Sequence, residues 1–250
     1  MLLAVDVGNT QTVFGLYEGA ELGERWRIAT EAHRTGDELG ALLADFLDLS
    51  AIDGICLSST VPRLIREYEH LAERWAKAPL LVLGPGVKTG IAIHYDDPRE
   101  VGPDRIANSI AAKERFGAPV IVVDFGTSTN FDIVDSAGDY VGGVLAPGIE
   151  VSMDALFARA ARLVKVDYLE PPAVIGKTTA SALQSGLVYG FAGQVDGIVD
   201  AIRGELGTDA PTVATGGLAE LIAPHSRTIA SVEPFLTLDG LRLVWQRNQE

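Results

Sequence analysis

Leu3-Ala4-Val5-Asp6-Val7-Gly8-Asn9-Thr10 and Ile121-Val122-Val123-Asp124-Phe125-Gly126-Thr127-Ser128 follow one pattern, 118 positions apart in a chain of 250 residues. Each is an apolar run, an aspartate, one more apolar residue, a glycine, and then small amide or hydroxyl side chains. One such stretch would say little, because aspartate and glycine are common in turns. Two of them, each opening a half of the chain, point to an internal duplication and hence to two like domains. The expected division is 1–117 and 118–250. The two acidic loops are expected to face each other across a cleft that handles phosphate.

Outward from these loops, strands and helices alternate, which predicts an α/β fold. Residues 2–5 read as a strand, 12–17 as its hairpin partner and 24–28 as a third strand. Thr35 and Glu38 have the spacing of a capping box, and Leu39, Leu42, Leu43, Phe46 and Leu47 follow at helical spacing. A strand is predicted at 52–58, a helix from Pro62, a strand at 80–83 and a helix over 104–116 closed by Gly117. The opening pattern then returns, with strands at 120–123 and 131–134. A long helix follows Thr179. It carries Gly186, Gly190, Gly193 and Gly197, a spacing that predicts close approach of another backbone, either between domains or between subunits. Residues 212–219 read as a strand, a glycine turn and a helix, open either to an adenosine or to an ordinary strand–helix connection.

The loops suit phosphate for physical reasons. Glycine lets a backbone approach a ligand and permits positive φ, and successive turn amides can form an anion-binding nest. The aspartates cannot attract phosphate themselves. They are useful if cations stand between them and it, as magnesium does when held by one or two carboxylates and phosphate oxygens. The plainer alternative is that each aspartate caps its own turn. Gly102-Pro103-Asp104-Arg105 sets a carboxylate and a guanidinium at a helix start, where the dipole favours an ionised acid. Asp104 reads either as a catalytic acid–base group or as a helix cap, and Arg105 either as a ligand or as a surface residue.

Composition narrows the classes. The formal net charge is −14, which repels nucleic acid and anionic lipid, so any anionic ligand must be held by local devices. No apolar run approaches the ~20 residues of a membrane span, and the N-terminal stretch lacks the basic flank of a secretory signal. Cys56 is the single cysteine and reads as a buried strand residue, which suits a reducing cytoplasm. The four histidines are scattered without ligand spacing, so neither a zinc site nor a Ser-His-Asp hydrolase is indicated. Gly176-Lys177-Thr178-Thr179 resembles the end of a Walker A loop, but Pro171 stands where its first glycine belongs, and 84–90 misses the dinucleotide fingerprint by one residue.

Taken together, Asp6-Val7-Gly8-Asn9-Thr10, Gly102-Pro103-Asp104-Arg105, Asp124-Phe125-Gly126-Thr127, Gly142-Gly143 with Pro147-Gly148, and Gly176-Lys177-Thr178-Thr179 resemble the type III pantothenate kinases over essentially the whole chain. The resemblance implies two actin-like, ribonuclease-H-like domains, each a mixed sheet flanked by helices, with an interdomain cleft. It implies ATP-dependent phosphorylation of pantothenate, the first step of coenzyme A biosynthesis. It also implies a cytoplasmic homodimer that uses magnesium and a monovalent cation, potassium or ammonium. By position, Asp6, Val7, Gly8, Asn9, Thr10, Gln11, Thr12 and Val13 would form the ATP phosphate loop, with magnesium at Asp6. Thr127 would touch ATP, Asp124 would hold the monovalent cation, and Asp104 would be the proton acceptor. Gly102, Pro103, Asp104, Arg105, Thr179 and Tyr95 would contact pantothenate.

Four positions depart from the family pattern: Pro103 for alanine, Gln11 for histidine, Asn130 for threonine, and Leu163-Val164-Lys165 without a proline. The competing readings are another small-molecule kinase or phosphatase of the superfamily, and a regulatory protein of this fold that binds nucleotide without turnover.

Overall fold

Residues 2–7 and 120–125 both form strands, and both bury five positions and leave only the aspartate half-exposed. This is seen in a computed structural model, which describes residues 1–160, 163 and 165–249. Strand β1 (Leu2–Val7) sits at the centre of a five-stranded sheet, between β2 (Gln11–Glu18) and β4 (Gly54–Ser59). Strands β3 (Glu21–Ala29) and β5 (Leu80–Val82) form its edges. Strand β1 pairs antiparallel to β2 and parallel to β4.

A second sheet repeats this order around β6 (Val120–Phe125). On one side lie β7 (Ser128–Val134) and β8 (Tyr140–Pro147), and on the other β9 (Thr212–Gly216) and β10 (Ile229–Val232). Strand β6 is antiparallel to β7 and parallel to β9. The offset of 118 carries β1 onto β6 end to end, so the duplication read from the acidic loops is a duplication of sheet topology.

Two units enclose these sheets. The first comprises Met1–Ala111 with Leu236–Glu250, and the second Ala112–Phe235. In the first, Leu3, Val5 and Val7 face helices α1 (Gly36–Ala44) and α2 (Pro62–Leu71), packing against Leu39, Leu43, Leu64 and Tyr68. The capping box forms as expected: the Glu38 N–H donates to Thr35 Oγ1 at 3.3 Å, and the Thr35 N–H donates to Glu38 Oε2 at 2.7 Å. The opposite face, which carries Leu2, Ala4 and Asp6, is covered by α7 (Leu236–Arg247). The Trp245 indole lies on Gly54, and the Tyr17 hydroxyl donates to Asp239 Oδ1 at 2.8 Å. Residues 236–247, assigned to the second half on the strength of the repeat, thus pack on the first sheet. The reason is apolar burial: Leu236, Leu238, Leu241 and Val244 are each at most 1% exposed.

Helix α3 (Pro103–Phe116) is held by α7. A Cβ on Gly240 would lie 2.0 Å from the Ala107 carbonyl oxygen, and the Thr237 hydroxyl donates to Asn108 Oδ1 at 2.7 Å. Gly240 costs helix propensity and in exchange lets the two backbones meet.

The second unit packs Ile121, Val123 and Phe125 against α4 (Ile149–Arg159), α5 (Thr179–Leu206) and α6 (Ala219–Ile222) through Ile149, Met153, Leu187, Val195 and Ile222. The glycines of α5 narrow the expectation. Among the described residues, a Cβ at Gly186, Gly190, Gly193 or Gly197 would meet nothing within 4 Å, so the approach is not made within the chain, and of the two expected partners only a second subunit is left. Cys56 is buried as expected, and burial pushes its thiol up to about 12, which leaves it unreactive. Among the described residues no helix is long and apolar enough to cross a membrane.

Two glycine substitutions should therefore have opposite signs. Gly240→Ala should destabilise by about 1–3 kcal/mol, because the added methyl overpacks the α3–α7 crossing. Gly204→Ala, at an exposed position of α5 with open space around it, should stabilise by about 0.5–1 kcal/mol. Urea denaturation of both variants checks the contrast, and a stabilised Gly240→Ala protein would contradict the crossing.

Candidate active site

The first acidic loop is fixed on both flanks. The Gly8 N–H donates to the Gln11 carbonyl at 3.0 Å and closes the β1–β2 turn. The Thr30 N–H, at the end of β3, donates to the Thr10 carbonyl at 2.9 Å, and the Thr60 N–H donates to the Val7 carbonyl at 2.9 Å. Asn9, Thr10 and Gln11 stand exposed at the tip, whereas Val7 and Thr12 are buried and Val13 half-buried. Of the run 6–13, the side chains offered to solvent are thus those of 9–11, with Asp6 half-exposed behind them.

In the second loop the Gly126 N–H donates to the Ser128 carbonyl at 3.0 Å, and Thr127 is exposed. Neither Gly8 nor Gly126 uses the positive φ that glycine permits. Their amides close the turns instead, so an anion nest would draw on the amides of the following residues.

Asp124 lies directly across from Asn130 in the β6–β7 register. Asn130 is 8% exposed, and its Oδ1 accepts from Ser128 Oγ at 2.6 Å, so this departure from the family pattern fills a place inside the hairpin. Gly216, at φ +93°, leaves its Cβ side open beside Asp124. A Cβ there would lie 2.6 Å from both Asp124 Oδ1 and the Phe125 carbonyl oxygen. A carboxylate oxygen and a carbonyl oxygen thus stand together beside Gly216, and oxygens are the donors that hard cations take. Among the described residues no three or more His, Cys, Asp or Glu side chains gather around a metal position. Single carboxylates fit magnesium, which takes one or two protein carboxylates and completes its shell with phosphate and water.

Asp104 sits in the first turn of α3. Its carboxyl is partly buried, and Oδ1 has no hydrogen-bond partner. A Cβ on Gly102 would come within 2.4 Å of that oxygen, so the bare α-carbon of Gly102 makes room for it. Burial raises the Asp104 pKa above the usual carboxylate range, while the Arg105 backbone N–H and guanidinium, and the Asp104 N–H, pull it down. A desolvated carboxylate with one uncommitted oxygen is a better proton acceptor than a solvated one. Pro103 opens α3, where an N–H is dispensable and the ring's φ suits the helix, so the second departure costs the helix nothing. Arg105 is 6% exposed, against the surface alternative considered from sequence.

Tyr95 is half-buried in the first unit, between β5 and α3. Thr178, not Thr179, caps α5. Its Oγ1 accepts from the Ser181 N–H at 3.1 Å, which leaves Thr179 exposed at the first helical position. Asp6, Tyr95 and 102–105 thus belong to the first unit, and Asp124, Thr127 and Thr179 to the second. Of the two remaining departures, Gln11 stands exposed at the loop tip, and the other includes Val164, outside the described residues.

Sequence reasoning missed the support beneath the first loop. Thr12 Oγ1 and Thr30 Oγ1 are 2.8 Å apart, and Tyr68, 1% exposed, hydrogen-bonds Thr12 from α2. Nothing local marks these three, because the β2–β3 register and the seat of α2 bring them together.

A profile of the type III pantothenate kinases matches residues 2–201. The chain belongs to the type III pantothenate kinase family. A type III pantothenate kinase of Acidothermus cellulolyticus is 53% identical over 99% of both chains. One of Anaeromyxobacter sp. is 52% identical over 100% of both. Among solved structures, component A of the Acidaminococcus fermentans (R)-2-hydroxyglutaryl-CoA dehydratase is similar at a TM-score of 0.57, with 12% identity over 100% of this chain and 99% of that one, a likeness of fold alone. The expected α/β fold, two mixed sheets each flanked by helices, is thus the fold of this chain.

The raised Asp104 pKa has a sign that stability can read. Folding disfavours its ionised form, so its contribution is favourable at acid pH and is lost as pH rises from the ordinary carboxylate range through the raised folded value. Asp104→Asn removes that charge. Its Tm should exceed that of the parent at pH 7, and the gap should shrink toward pH 4. A gap that widens on acidification would contradict a desolvated carboxylate.

Proposed function

We propose that the chain transfers the γ-phosphoryl group of ATP to the primary hydroxyl of pantothenate, the step that opens coenzyme A biosynthesis, with Asp104 as the proton acceptor. The observation that carries this assignment is Asp104 Oδ1, buried at the head of α3 without a partner. In the reaction Asp104 takes the hydroxyl proton as the oxygen attacks the γ-phosphorus. The bond to the β-phosphate bridging oxygen breaks, and ADP leaves with that electron pair. Most of the rate in such a transfer comes from positioning and charge stabilisation.

Gly102, Pro103, Arg105, Thr179 and Tyr95 hold pantothenate in this reading, with Arg105 serving its carboxylate. Residues 6–13 and Thr127 serve ATP. Asp6 would hold magnesium, which draws charge from the phosphate oxygens when bound. Asp124 would hold potassium or ammonium, supported by the oxygens beside Gly216, and so offset its own repulsion toward ATP. A homodimer in a reducing cytoplasm completes the reading. The single buried cysteine supports that compartment.

A coupled assay with pantothenate, ATP, magnesium and potassium tests this directly. Robust turnover is expected. Asp104→Asn should lower kcat by about 10²–10⁴ with the fold intact, the range of general-base contributions. Replacing potassium with sodium should lower the rate strongly. ATP binding without transfer would instead favour a regulatory protein, and near-normal turnover in Asp104→Asn would remove that residue from its role.

A further inference from the structure

We infer that Arg34 is a nucleotide-phosphate ligand of the first acidic loop, a role that rests on reading residues 6–13 as the ATP loop. Three links place it there. Gln11, the last residue of the loop, pairs with Ala29 in the β2–β3 register, and the Ala29 carbonyl accepts from Arg34 Nη1 at 3.4 Å. One residue on, the Thr30 N–H donates to the Thr10 carbonyl at the loop tip. Beneath both, buried Thr12 and Tyr68 and half-buried Thr30 form the hydroxyl cluster that anchors the end of β3 to the loop. The guanidinium is therefore tied to the backbone that flanks residues 9–11.

Its electrostatic setting agrees. Burial raises the Tyr68 pKa, the Thr12 bond and the Arg34 charge lower it, and the Asp6 charge raises it. Arg34 and Asp6 thus act on one phenol from opposite directions, which places a cation and the loop's carboxylate in the same neighbourhood. The long Nη1–Ala29 contact is a weak bond and leaves most of the five guanidinium donors uncommitted to it. Arg34 is half-buried, so part of its ordering is already done before a ligand arrives.

The chemistry that fits is a phosphate oxygen pair. A chain of net charge −14 must neutralise a triphosphate locally, and a planar guanidinium binds phosphate in two-pronged fashion. Magnesium at Asp6 would meet some of the phosphate oxygens. Arg34, one strand further out, would meet others. The tip amides of 9–11 supply uncharged donors between them.

Equilibrium binding of ATP and of adenosine, together with the two KM values, tests the assignment on the intact protein. Arg34→Gln should weaken ATP binding and raise the KM for ATP about tenfold, the effect of one charge-assisted hydrogen bond. Adenosine binding and the KM for pantothenate should stay within about twofold of the parent. Arg34→Lys should recover part of the loss, because it restores the charge without the fork. A purely structural Arg34 would lower Tm and disturb both substrates alike, which would overturn the assignment. So would a rise confined to the KM for pantothenate. Asp6→Asn separates this assignment from the loop reading on which it rests. If Asp6→Asn weakens ATP and Arg34→Gln does not, the arginine assignment alone fails. If neither variant alters ATP affinity, the loop reading fails with it.

Discussion

A carboxylate at the penultimate position of a buried central strand sets the terms for everything else. Strands β1 and β6 are flanked by strands on both edges and covered on the core face, so five of six residues in each lose their water. An ionised aspartate cannot follow them without a heavy desolvation cost. The strand must therefore end at the rim of its sheet just where the aspartate occurs, and the chain must turn there. The turn places small polar residues beside the acid. Each acidic loop is, in this sense, a result of where a charge can be tolerated in an α/β core.

The two acids sit in equivalent places but in different company. Asp6 lies behind an exposed tip whose flanks are pinned by Thr30 and Thr60. Asp124 faces Asn130 across the hairpin and stands with the Phe125 carbonyl oxygen beside Gly216. Duplication supplied one scaffold twice, and the neighbours drawn from β3 in one case and β9 in the other made the sites unlike. The third acid, Asp104, owes its character to a different device. The first turn of α3 and a missing side chain at Gly102 hold one carboxylate oxygen out of water without giving it a partner.

Much of this was legible in the residues, and what was legible was local. The repeat could be read because a continuous apolar run and the aspartate that follows it are properties of a few consecutive residues. The Thr35–Glu38 capping box was read for the same reason. What could not be read depends on registers set far along the chain. Nothing near residue 240 shows that its backbone meets Ala107, and nothing near Arg34 shows that Ala29 pairs with Gln11. The burial of Arg105 and the open surroundings of the α5 glycines were likewise decided by neighbours that sequence spacing does not name.

The return of α7 to the first sheet has a consequence for how the molecule is made. During synthesis the first 111 residues emerge with one face of their sheet uncovered, because the helix that covers it is separated from them by the whole second unit. Domains ordinarily fold as they leave the ribosome, the N-terminal one first. Here the earliest-made sheet waits for the latest-made helix, while the second unit has all its layers in hand before residue 236 appears. The helix that bears Asp104 docks on that late arrival through Gly240 and Thr237. A nascent chain thus carries Asp104 unseated until synthesis is nearly over.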